Sequence, residues 1–115
     1  MTKFPGVIVA KITAINPHPN ADRLCLATVD TGKEQLTVVC GAPNIAVGQL
    51  VPLATLGAQL PNGMEIKPAI IRGVSSSGML CAADELGLGS DHNGILLLNS
   101  RAITGGQIDQ YLNNF

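Results

Sequence analysis

The chain has 115 residues and a formal net charge of −1, the size of one domain with one modest core. Apolar residues make up 46%, aromatics only 3%, and Trp is absent, so Val, Ile, Leu and Ala must build that core. This balance excludes a strongly basic, general nucleic-acid binder, and no apolar run approaches the ~18–20 residues of a membrane helix.

The first strand is predicted over Val7 to Asn16. Both of its faces are largely apolar, which suits a barrel strand that curves between two environments. Pro17-His18-Pro19-Asn20 breaks it, and Ala21-Asp22-Arg23 makes a tight turn. Leu24 to Asp30 reads as a second strand, Thr31-Gly32-Lys33 as a hairpin turn, and Leu36 to Cys40 as a third strand. Gly41-Ala42-Pro43-Asn44 then forms a rigid corner, because Gly admits positive φ, Pro fixes φ and removes a donor, and Asn caps a turn. A fourth strand follows from Leu50 to Leu56.

Pro61-Asn62-Gly63 marks the next turn. Met64 to Arg72 is predicted mostly extended, with Pro68 at an edge or bulge. Residues 73–78 are small and polar and lead into a short apolar element, Met79 to Ala82. Ala83 to Leu86 suggests one helical turn, Ile95 to Leu98 a short strand, and Gly106 to Leu112 a final short helix. The expected fold is all-β. Residues 7–82 form a five-stranded OB-type barrel, and residues 83–115 form an appendage with a short strand and helix. A β sandwich is the second choice.

The charge is asymmetric: residues 1–72 carry +2 and residues 73–115 carry −3. A polyanion would therefore meet a local patch, with modest affinity. Cys25, Cys40 and Cys81 are odd in number and lie in apolar patterns, as reduced core residues do. His18 and His92 sit in turns, with no neighbouring Cys or His at metal-ligand spacing. Neither Cys40 nor Cys81 has an adjacent base that would make it a nucleophile. The leading Met1-Thr2-Lys3-Phe4-Pro5 has no hydrophobic signal region, which predicts a cytoplasmic location.

Three segments carry a family resemblance. His18-Pro19-Asn20-Ala21-Asp22-Arg23-Leu24, Val38-Val39-Cys40-Gly41-Ala42 and Arg72-Gly73-Val74-Ser75-Ser76-Ser77-Gly78-Met79-Leu80 resemble, in order and spacing, the motifs of the tRNA-binding domain family. The resemblance covers roughly residues 4 to 113. The corner Cys40-Gly41-Ala42-Pro43-Asn44, with Glu85-Leu86-Gly87-Leu88 and Asp91-His92-Asn93-Gly94-Ile95, resembles the branch found in bacterial phenylalanine–tRNA ligase β subunits. Those subunits are longer and multidomain, so the resemblance implies a single domain, residues 1–115, excised from such a chain.

The resemblance further implies an OB-fold module that helps bind tRNA and is not itself catalytic. The parent enzyme would use ATP and Mg, with catalysis in the α subunit; the module itself would need no cofactor and no metal. Its partners would be tRNA, held weakly and salt-dependently, the other β-subunit domains and the α subunit, with no membrane. Arg23, Ser76 and Met79 match positions in the family motifs, and Lys67 and Arg72 are added by charge and position. Basic side chains would contact phosphate, Ser76 sugar or phosphate, and Met79 a base. The lack of aromatics argues against strong base stacking. Two alternatives stay open: a packing module inside the same enzyme, and a stand-alone dimeric tRNA-binding or chaperone-like relative.

Overall fold

The structure, a computed structural model, describes residues 6–42, 44–60, 63, 65–82, 86, 94–98 and 104–106. Seven strands occur among the described residues: β1 (Val7–Pro17), β2 (Cys25–Asp30), β3 (Gln35–Cys40), β4 (Leu50–Thr55), β5 (Ala69–Ile71), β6 (Val74–Ser76) and β7 (Gly78–Leu80). Five of them form one sheet in the order β3-β2-β1-β4-β7, and β5 and β6 pair as a separate ribbon.

β1 is shared by both halves of the barrel. Its first half pairs with β4, Val7 opposite Ala54 through Lys11 opposite Leu50. Its second half pairs with β2 as far as Pro17 opposite Cys25. The register shifts between Ile12 and Ala14, so Thr13 is an extra residue. Such a bulge bends a strand and increases its twist. The bend explains why Val7, Val9, Ala10 and Ile12 are all buried on a strand without strict alternation.

All four neighbouring pairs in the main sheet are antiparallel, so β3 and β7 run the same way where the barrel closes. The seam is thin. The Ser77 amide donates to the Thr37 carbonyl at 3.0 Å. The Val39 amide donates to Ser76 Oγ at 3.0 Å, and that hydroxyl donates onward to the Gly78 carbonyl at 3.1 Å. One serine side chain thus stands in for a missing ladder partner. Gly78 lets β7 approach β4: a Cβ there would lie 2.8 Å from the Ala54 oxygen.

Inside the barrel, Ala10, Ile12, Ala27, Val29, Val38, Cys40, Val51, Leu53, Leu80 and Ile95 make one apolar cluster. A second, at the far end, contains Val7, Ala54, Ala58, Leu60, Ile66, Cys81 and Leu86. Small and branched residues suffice because a five-stranded barrel has little interior to fill. Leu86 and Ile95 come from beyond residue 82, so the C-terminal segment contributes to the core as well as covering it.

The all-β barrel is the expected one, with two differences. Among the described residues of the stretch at 64–72, expected to be mostly extended, β5 alone is a strand and it pairs with β6 in the ribbon, while the fifth barrel strand is β7, at the short apolar element that begins near Met79. Ile95 to Leu98 contributes only a single bridge, Leu98 with Leu50. No α-helix occurs among the described residues. The helical turn at 83–86 and the helix at 106–112 fall outside them, apart from Leu86 and Gly106.

Candidate nucleic-acid interface

The connection between β4 and β7 carries the ribbon, and its turn is the two residues Arg72-Gly73. Ile71 pairs with Val74 across it. Arg72 has φ of 52° and Gly73 of 87°. Two successive positive φ values define a type I′ hairpin turn, a geometry dominated by Gly, Asn and Asp. Arg is an unusual first residue there, since a side chain in the left-handed region costs about 1–3 kcal/mol.

The β1–β2 loop holds this turn in place. His18 is buried, and its Nδ1 accepts the Asn20 amide at 2.9 Å. The proton therefore sits on Nε2, which donates to the Ile71 carbonyl at 2.9 Å. Asn20 Nδ2 donates to the Arg72 carbonyl at 3.0 Å. Two side chains of one loop thus grip two successive carbonyls of the other, 53 and 52 residues further on. His18 does shape its own turn, as its sequence context suggests, and it also joins the two loops.

Between the loops lies an open cleft of about 480 Å³ lined by Asn20, Ala21, Asp22, Arg23, Leu24 and Arg72. Both arginines are exposed, and the lining charge is two positive against one negative. A larger hollow of about 690 Å³ shares no residue with it. Its walls include Ile8, Leu36 and Leu56, and Lys33 is offset there by Glu34. We assign the candidate interface to the smaller cleft, because two arginines line it against one carboxylate, whereas Lys33 and Glu34 balance in the larger hollow.

Of the five residues singled out from the sequence, the structure brings Arg23 and Arg72 together. Lys67 lies on neither cleft wall and faces Glu65 at 3.8 Å, in an exposed pair worth little. Ser76 is 3% exposed and its hydroxyl is engaged at the barrel seam. Met79 is half-buried on β7 and packs against the far apolar cluster. The sequence reading missed Asn20 as a positioning residue. No local signal in the sequence pointed to it, because its partner, the Arg72 carbonyl, lies 52 residues further on. His92 lies outside the described residues. Among the described residues, no three His, Cys, Asp or Glu side chains gather as a metal site would require. No helix among them is long and apolar enough to cross a membrane.

A five-stranded barrel with a basic cleft between its first loop and the loop before its last strand is an OB-type module, a class that binds oligonucleotides with those loops. Solved structures share the fold. The methionyl-tRNA-synthetase-related protein (MetRS related protein) of Pyrococcus horikoshii superposes with a TM-score of 0.65 at 18% identity, over 88% of this chain and 86% of that one. The C-terminal domain of Plasmodium vivax p43 gives 0.61 at 21% identity, over 86% and 56%.

The family described as "Putative tRNA binding domain" matches residues 7–107, and the chain belongs to that family. Among curated relatives, the phenylalanine–tRNA ligase β subunit of Chlorobaculum tepidum is 52% identical over 111 residues, 92% of this chain and 14% of that one. The β subunit of Bordetella parapertussis is 58% identical over 96 residues, 83% and 12%. The chain thus spans about one-seventh of the length of the relatives it matches.

Proposed function

We propose that this domain is the tRNA-binding module of a phenylalanine–tRNA ligase β subunit, and that it contacts tRNA phosphates through Arg23 and Arg72. The observation that carries the reading is Arg72, held at positive φ by a bond from Asn20 to its carbonyl, on the same cleft as Arg23. Unfavourable backbone geometry at a charged, exposed residue is the pattern of a side chain retained for what it binds. Lys67, paired with Glu65, and Met79, packed on the far apolar cluster, lie off the cleft and have no part in this contact.

In this reading the module is not catalytic and uses no cofactor. ATP, Mg and aminoacyl transfer belong to the α subunit, and the module works beside that subunit and the other β-subunit domains in the cytoplasm. Its contribution is weak and salt-dependent. Two phosphate contacts imply a log–log salt slope of about −1.4 to −1.8.

A titration of labelled tRNA at several salt concentrations tests this, with wild type, Arg23→Ala and Arg72→Ala. Each variant should weaken all tRNAs about equally and lower the slope by roughly one unit. No binding by wild type at low salt would reject the reading. It would favour a packing role in the longer subunit, for which the hollow lined by Ile8, Leu36 and Leu56 among polar residues offers a surface.

A further inference from the structure

Cys25 and Cys40 stand directly opposite each other at the end of the β2–β3 ladder. Facing residues of an antiparallel pair share one side of the sheet, with Cα atoms about 4.5 or 5.5 Å apart. Both values fall within the ~4.4–6.8 Å span of a disulfide. The shared side is the barrel interior. Ala27 and Val29 of β2 and Val38 of β3 are buried, and the period of two puts Cys25 and Cys40 with them. Cys40 is 8% exposed, whereas Cys25 is half-buried at the rim. No disulfide joins them in this structure, and Cys81 belongs to the other apolar cluster.

We infer that Cys25 and Cys40 are a thiol pair that small-molecule disulfides oxidise to a cross-strand disulfide. The Cys25 thiolate, reached from the rim, attacks one sulfur of a disulfide such as oxidised glutathione. The reagent S–S bond breaks, and one glutathione thiolate leaves. Cys40 then gives up its proton, and its thiolate attacks Cys25 Sγ, expelling the second glutathione. Two protein thiols lose two electrons, and the reagent gains them with both protons as two thiols. Cys40 must first turn away from the Ala42 amide, which lies 3.5 Å from its Sγ. The closed bond ties together the strand ends from which the Arg23 loop and the Gly41 corner emerge. Those two segments lie close, so that a Cβ added at Gly41 would come within 3.2 Å of Leu24 Cδ2.

The test incubates the folded chain with oxidised glutathione, blocks remaining thiols under denaturing conditions, and maps the peptides by mass spectrometry without reductant. The expected product is roughly 2 Da lighter, carries a Cys25–Cys40 link, keeps Cys81 as its one blockable thiol, and reverts with dithiothreitol. Cys25→Ser, at the half-buried position, should fold and form no internal link. Three surviving thiols in the folded wild type would overturn the inference. So would a mixed disulfide that stops at Cys25, a link involving Cys81, or a link that survives in Cys25→Ser.

Discussion

The side-chain amide of Asn44 pairs with the backbone of Ile95 in both directions. Nδ2 donates to the Ile95 carbonyl at 2.9 Å, and Oδ1 accepts the Ile95 amide at 2.9 Å. The amide imitates the edge of a strand and fastens the segment after residue 82 onto the corner that follows β3. Ile95 beyond it fills the barrel interior. Gly94 is needed for the approach, because a Cβ there would fall 2.6 Å from Asn44 Cγ.

Asn44→Ala should therefore lower stability by about 1–3 kcal/mol, since both Ile95 groups lose partners in a partly buried setting. Gly94→Ala should act in the same direction through the steric clash. Urea denaturation checks both, read as a lower midpoint at unchanged slope. An Asn44→Ala midpoint equal to wild type would show that the clamp contributes nothing.

Arg72 separates stability from binding. Asn accepts the left-handed region more readily than Arg does. Arg72→Asn should hold or raise stability by up to about 1 kcal/mol while weakening tRNA and lowering the salt slope by about one unit. Thermal unfolding and tRNA titration on the same preparation measure the two effects. Lower stability together with unchanged affinity would contradict the assignment.

Asn20→Ala removes a brace but no charge. It should weaken tRNA binding several-fold with the salt slope intact, because Arg72 remains present but less well positioned. His18→Ala removes a buried group that bonds on both sides. It should cost about 1–3 kcal/mol in addition, visible in urea denaturation.

Ser76→Ala should act on the barrel rather than on the ligand. The Val39 amide loses its acceptor, at a cost of about 1–3 kcal/mol. Hydrogen exchange should accelerate first at Val39 and Ser77, along the β3 seam. A change in the salt slope of tRNA binding with unaltered stability would instead place Ser76 at the interface.

The sequence alone was enough for the first four strands, to within one residue at each end. Each is six or more residues long and is bounded by Gly, Pro, Asn or Asp, so local preference and hydrophobic pattern agree. The sequence also singled out Arg23 and Arg72, because charge and motif position are local properties. It marked a short apolar element from Met79 but could not show that the fifth barrel strand lies there, because β7 has three residues and exists only where Gly78 lets it touch β4. Nor could it show that Ser76 closes the seam, that His18 and Asn20 hold the Arg72 turn, or that Cys25 faces Cys40. Each of these joins residues 15 to 53 positions apart, and chain closure rather than local preference decides which of them meet.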